Sequence, residues 1–377
     1  MRAISVVLLA IIAFAFPIAA FAATNDVFTV RNVPVDATSD GAAQARDIAL
    51  AQGQRTAYQR LLQRLTRRED WSRLPDASGD QLQNLVLGYQ VADEQSSSTH
   101  YIAKITYSFK PPSIRNLLRT AGVAFSETRS RPVLVLPVYE SPGQIVLFEE
   151  PNPWKAAWAR HDLSSELVPV ILPSNDLEDS RAITATQAKA ASWGDVAGLA
   201  QKYGVDRVLI ADAAPGASGA LVVKTHIVSV TEDSVSQQNF TGADPNAELD
   251  QAVEAGLSRI AETWKAATII NGGEQNTLVA SVPFSSLQEW LGVRRKLRQT
   301  PTIQNFDVLA LSTQGAEVQL IFGGTPDQLR IALAQVSLKL DQSGSHWRIS
   351  AQGTASDASP LMHSAGTVVG SAGAARQ

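Results

Sequence analysis

The chain contains no cysteine, which removes disulfides, thiolate metal sites and thiol nucleophiles together. In an oxidising compartment its domains must therefore be held by hydrophobic cores large enough to fold unaided. Processing and lipid attachment at an N-terminal cysteine is excluded on the same ground. Histidine is scarce too. His100, His161, His226, His346 and His363 are scattered, and no two stand at the spacing of three or four that places ligands on one helix face. No H-E-x-x-H, G-x-S-x-G, Walker loop or G-x-G-x-x-G occurs. The charge balance, 32 basic against 36 acidic side chains, is too mildly acidic for a protein built around polyanions, so no nucleic acid is expected as partner. No cofactor is expected.

Only one long apolar run is present, and it lies at the start. Arg2 precedes Ile4 to Ala15, and Ala20-Phe21-Ala22 supplies the small-x-small pattern of a secretory cleavage site. The run is shorter than the roughly 20 residues a spanning helix needs, and Pro17 interrupts it. Residues 1–22 are read as a cleaved signal peptide, which addresses the protein to the periplasm without lipid attachment. No later run is long enough to give the mature chain a transmembrane span.

Beyond the leader the expected fold is multidomain, mixing α+β and α/β classes. Residues 24–126 form an N-terminal α+β domain. Phe28 to Val35 alternates as a strand, and Gly41 to Leu65 carries Leu50, Ala57, Tyr58, Leu61, Leu62 and Leu65 on one helical stripe. Asp80 to Leu87 reads as a second helix, Gly88 to Ala92 as a strand, and His100 to Phe109 as a strand of period two. Residues 130–270 form a central mixed α/β sandwich, with buried strands at Pro132 to Pro137 and Val168 to Leu172 and a helix over Asp195 to Tyr203 stopping at Gly204. Asn271-Gly272-Gly273 reads as a hinge. Residues 275–350 follow the ferredoxin-like order βαββαβ, with a further strand at Trp347 to Ser350. Residues 351–377, rich in Ala, Ser and Gly, read as a disordered tail.

Candidate sites are few. Asp36, Thr38, Asp40, Gly41 and Asp47 match part of a calcium loop, but Thr38 and Asp47 are poor at their places, and a turn before a helix explains them. Asp176, Glu178 and Asp179 follow a buried strand, where a solvated loop is the simpler reading. Arg294 to Arg298 is a basic helix end able to meet phospholipid headgroups or peptidoglycan carboxylates, although complementarity to the helix dipole also accounts for it. The candidate partner-binding set is Glu150, Trp154 and Trp158. Asn152-Pro153 starts a helix that puts both indoles on one side beside an acidic loop, a hot spot unless they fill a seam between helix and sheet.

Several stretches resemble a proteobacterial envelope family, domain of unknown function 2066. They are Phe28 to Val30 with Val33, Ala45-Arg46 and Ala49 leading to Leu61-Leu62, Leu134 to Pro137, Asn152 to Trp158, and Phe322 to Gly324 with Leu329. The central domain, through Ala200 to Ile210, is similar to the α/β module of the N-terminal part of TolB and of curli-type assembly proteins. The resemblance implies an envelope role and no chemistry. The resulting expectation is a non-enzymatic binding or assembly factor whose partner is an envelope protein or a peptidoglycan component. The alternatives are a hydrolase of envelope carbohydrate using Glu149, Glu150, Asp176, Glu178 and Asp179, and a purely structural scaffold.

Overall fold

The computed structural model describes residues 27–216, 219–242, 244–270 and 275–352. The expected signal peptide, the Asn271 to Gly273 hinge and all but the first two residues of the expected tail lie outside them. By contacts the chain divides into two compact units, one of residues up to 125 with 131–265, the other of 126–130 with the residues from 266 onward.

In the first unit β1 (Thr29–Thr38), β2 (Val86–Ser96) and β3 (His100–Phe109) form an antiparallel sheet in the order β1-β3-β2. Tyr101, Ala103, Ile105, Tyr107 and Phe109 of β3 are buried, one face of the expected alternation. The helix α1 (Ala42–Leu65) lies on that face. It buries Ala57, Tyr58, Leu61, Leu62 and Leu65 as its periodicity predicts, but its first half approaches through small residues, Ala45, Ala49 and Gly53, spaced by four. A Cβ on Gly53 would stand 2.5 Å from Val35 Cγ1 and 2.8 Å from Tyr107 Oη, so only glycine lets the helix come this close. A 3-10 turn (Arg68–Arg73), α2 (Gly79–Leu85) and α3 (Pro111–Thr120) complete this layer.

The same unit holds a six-stranded sheet. The strands β4 (Val133–Ser141), β5 (Gln144–Val146), β7 (Arg207–Pro215), β8 (Leu221–Ser229) and β9 (Asp233–Phe240) run in the order β5-β4-β7-β8-β9, and β6 (Val170–Ile171) pairs parallel with the start of β4. The pair β4 and β7 is parallel, and its strands read as continuous apolar runs because helices cover both faces. Leu134, Leu136, Val138, Val208 and Ile210 pack against α6 (Ala185–Lys189) and α7 (Trp193–Tyr203), preceded by α5 (Leu177–Ala182). The opposite face carries α4 (Pro153–Arg160) and α8 (Pro245–Thr268), close enough that a Cβ on Gly256 would touch the Trp158 ring at 3.6 Å. At the end of α7, Gly204 has φ of 65°, and the amide of Val205 donates to Ala200 O.

In the second unit β10 (Gln275–Pro283), α9 (Leu287–Gln299), β11 (Ile303–Leu311), β12 (Gly315–Gly323), α10 (Pro326–Gln335) and β13 (Leu338–Ser343) follow the order βαββαβ, and β14 (His346–Ala351) closes the chain's described part. The sheet order is β11-β12-β10-β14-β13. Thus β14 does not lengthen the sheet at its edge. It slots between β10, to which it is parallel, and β13, to which it is antiparallel, with Ile349 fully buried. The core of Leu278, Val282, Trp290, Leu297, Val318, Leu320, Phe322 and Leu333 lies between this sheet and its two helices. Among the described residues no helix is long and apolar enough to cross a membrane.

Candidate functional site

The expected partner-binding set is divided by burial. Asn152 caps α4, its Oδ1 accepting from Lys155 N at 2.9 Å while its amide donates to Pro137 O and Leu147 O. Pro153 at the first helical position then directs Trp154 and Trp158 inward, with 0% and 1% exposure, and their rings meet edge to face at 5.6 Å. The Trp154 indole donates to Ala211 O on β7 at 2.9 Å, which pins the helix to the sheet. Neither indole presents a face to a partner. Glu150 is exposed and pairs with Lys155 at 2.9 Å, and this pairing holds its carboxyl below the usual range. The correction has a plain cause: two large aromatics four residues apart on a short helix over a sheet are the most favourable groups to bury there.

The loop carboxylates are caps and ion-pair members. Glu149 accepts from the amides of Leu147 and Phe148, and those backbone donors lower its pKa. Asp176 caps α5, accepting from Glu178 N and Asp179 N, and Lys202 at 2.7 Å holds it well below the carboxylate range. Asp179 is fully buried and accepts from Lys202 Nζ, Tyr203 Oη and Asn175 N. A general acid needs its pKa raised toward the working pH. The shifts of Glu149, Glu150 and Asp176 run the other way.

Asp36 of the calcium-like loop lies on β1 and accepts from His100 Nε2 at 2.6 Å. Among the described residues no group of three or more His, Asp or Glu could hold a metal ion. Asp212, on β7, is the carboxyl pushed upward: burial raises it, and Lys189, 3.5 Å away and paired also with Glu140, opposes that rise only in part. Its signal in the sequence is an acid inside the apolar run Val208 to Ala214.

One concave polar site of this unit is a cleft of about 430 Å³ between the C-terminal half of α1 and α8, formed by residues outside the sequence candidates. Its deep wall is tied by side-chain to backbone hydrogen bonds. Arg64, buried on α1, donates to Val27 O and Thr29 O at 3.0 and 2.9 Å and lies 3.8 Å from Glu166. Lys265, 3% exposed at the end of α8, donates to Thr66 O at 2.6 Å and Gln63 O at 3.2 Å and pairs with Glu262 at 2.6 Å. These are the last carbonyls of α1, which a helix leaves without partners of its own. Near the mouth β1 is irregular between Val30 and Val33, and Asn32 takes a φ of 52°. Burial raises the pKa of Asp162, yet donors from Ser165 and Ser164 outweigh it and leave this carboxyl lowered and ionised. The rim holds Arg60 and Glu254, both exposed, with no ion pair among the described residues. On the wall the Trp71 indole N–H is buried and has no hydrogen-bond partner, a condition that costs about 1 to 3 kcal/mol. Beside the ionised Asp162, the cleft thus holds Arg60 and Glu254 at its rim and the Trp71 donor on its wall.

Sequence patterning shows α1 and α8 as separate amphipathic helices and gives no sign of which residues meet across 200 positions. Lys265 among apolar neighbours is the one legible hint.

Residues 22–127 match a family described as a domain of unknown function, DUF8605. This match corrects the expected membership in domain of unknown function 2066. It ends before β4, so it gives the expected TolB-type and curli-type likeness of the central domain no support. No curated protein matches the chain. Among solved structures, the lipoprotein GNA1162 of Neisseria meningitidis shares 21% identity over 34% of this chain and 97% of its own, with a TM-score of 0.24. At that score the likeness carries no structural argument.

Proposed function

We propose that the protein is a non-enzymatic binding or assembly factor for a cell-envelope component, acting in the periplasm after removal of residues 1–22. The observation that carries this reading is the cleft between α1 and α8, whose rim charges Arg60 and Glu254 and buried indole donor Trp71 are left over once the wall's own ion pairs are formed. A zwitterionic peptide segment, from an envelope protein or from a peptidoglycan stem, matches that set: a carboxylate toward Arg60, an amine toward Glu254 and a carbonyl toward Trp71 Nε1. The loop carboxylates serve as caps, which favours binding over hydrolysis.

The test is mild crosslinking of the whole chain in envelope fractions, followed by capture, for wild type and for the charge swap Arg60→Glu/Glu254→Arg. Both positions are exposed, so the fold should persist, and far-UV circular dichroism checks it. Glu178→Lys, on a surface of the same unit outside the cleft, serves as control. The expected outcome is a defined partner lost from the swap and kept by the control. An unchanged partner set in the swap counts against the cleft.

A further inference from the structure

The second unit carries an apolar flank bordered by cations that its fold does not use. On α9 the buried stripe is Trp290, Val293 and Leu297. A neighbouring stripe, Leu287, Leu291, Arg294 and Arg298, repeats at intervals of four, three and four and so lies along one line of the helix. Arg298 sits 5.8 Å over the Phe306 ring, which turns this line toward β11, the edge strand of the sheet. There Val308 shares the helix-side face with Phe306, and an irregularity between Val308 and Ala310 turns Leu309 out of the ladder. Leu287, Leu291, Val308, Leu309 and Leu311 are between 42% and 67% exposed, apolar side chains along a flank where an edge strand is ordinarily blunted by charge.

The charge beside the strip is of one sign. Arg294, Arg295, Lys296 and Arg298 form no ion pair among the described residues. Arg294 Nε is buried without a hydrogen-bond partner, and Lys296 donates to Ser337 O. Nearby acids are committed or turned away: Glu289 accepts from Ser285, and Asp307 falls between Phe306 and Val308 in β11, on the opposite face. Dipole complementarity explains a basic last turn but not the leucines beside it.

We propose that this flank of α9 and β11 seats on an anionic phospholipid surface. The five aliphatic side chains enter the headgroup–acyl boundary, and Arg294, Arg295 and Arg298 meet the phosphodiesters, the pairing of apolar area and cationic charge that interfacial elements use. The attachment is peripheral and reversible. It is independent of the cleft reading, because it uses another unit and a different ligand chemistry.

The experiment is sedimentation of the full chain with vesicles of phosphatidylcholine alone and with a quarter phosphatidylglycerol. The expected result is co-sedimentation with the phosphatidylglycerol vesicles, weakening as salt rises. Arg295→Gln/Arg298→Gln should lower partitioning roughly 30-fold, from about a fivefold effect per arginine. Leu287→Ser/Leu291→Ser should lower it as well with the charges intact. Equal or absent sedimentation on the two vesicle types overturns the proposal, as does capture of an acidic protein by this flank without lipid binding. The salt series on the unaltered chain keeps the test decisive if a variant misfolds. Loss of the crosslinked partner by the cleft swap, with vesicle binding unchanged, separates the two readings.

Discussion

Replacing Lys265 by methionine isolates the value of one buried cation. The aliphatic stem is retained, so the packing of α8 changes little, while three polar interactions are removed, to Thr66 O, Gln63 O and Glu262. A hydrogen bond from a charged donor contributes about 1.5 to 3 kcal/mol, and a buried carbonyl left unsatisfied costs about 1 to 3 kcal/mol. Against this stands the desolvation of the ammonium, which methionine relieves. The net expectation is a loss of about 2 to 4 kcal/mol. In urea, with a slope of about 3 kcal/mol per molar for a protein of this size, the midpoint should fall by roughly 1 M. Tryptophan fluorescence reports it, because Trp71 lines the same cleft. Lys265→Arg keeps donors in place and should lose less. A midpoint shift equivalent to under about 0.5 kcal/mol for the methionine variant would falsify the assignment of Lys265 as the cap of α1.

Two more outcomes follow from the N-terminal layer. Gly53→Ala gains about 1 kcal/mol of helix propensity but forces a Cβ against Val35 and Tyr107, so thermal unfolding should show a net loss of about 1 to 3 kcal/mol; a stabilised variant would mean that α1 lifts off freely. Burial pushes the hydroxyls of Tyr58 and Tyr107 well above the usual tyrosine value, and they donate to Pro75 O and Leu50 O. The unfolded chain ionises near pH 10 while the native one stays neutral. Stability is therefore complete below that pH and falls above it by about 1.4 kcal/mol per pH unit for each tyrosine. Urea unfolding between pH 9 and 11.5 should show this fall, and Tyr107→Phe should lower the slope by about 1.4 kcal/mol per pH unit. A slope unchanged in the variant would contradict the burial argument.

What could be read before folding depended on whether the determinant was local. The helix α10 carries its own start signals, Thr325, Pro326 and Gln328, and its capping box forms as the residue types require. Gly204 ends α7 in the same self-sufficient way. The first half of α1 was less legible, because Ala45, Ala49 and Gly53 carry little hydrophobic signal yet lie against the sheet, while Leu50 is only half buried. Trp154 and Trp158 show the converse: their shared side was evident, but the side the sheet occupies was not. The position of β14 depends on pairing with β10, about 67 residues earlier, which no local pattern encodes. The cleft is the extreme case, since its walls are distant helices and its useful groups are those left unpaired after both have packed.

The bond from Lys265 to Thr66 spans 199 residues of chain. Made at about 5 to 20 residues per second, the polypeptide presents the end of α1 some 10 to 40 s before the side chain that caps it. During that interval Gln63 O and Thr66 O lack the Lys265 donor, and the 3-10 turn that follows has no α8 beside it. The N-terminal layer is thus first in order of synthesis but is completed only after the central sheet has been made, and a chain stopped short of residue 265 would hold its first module unfinished.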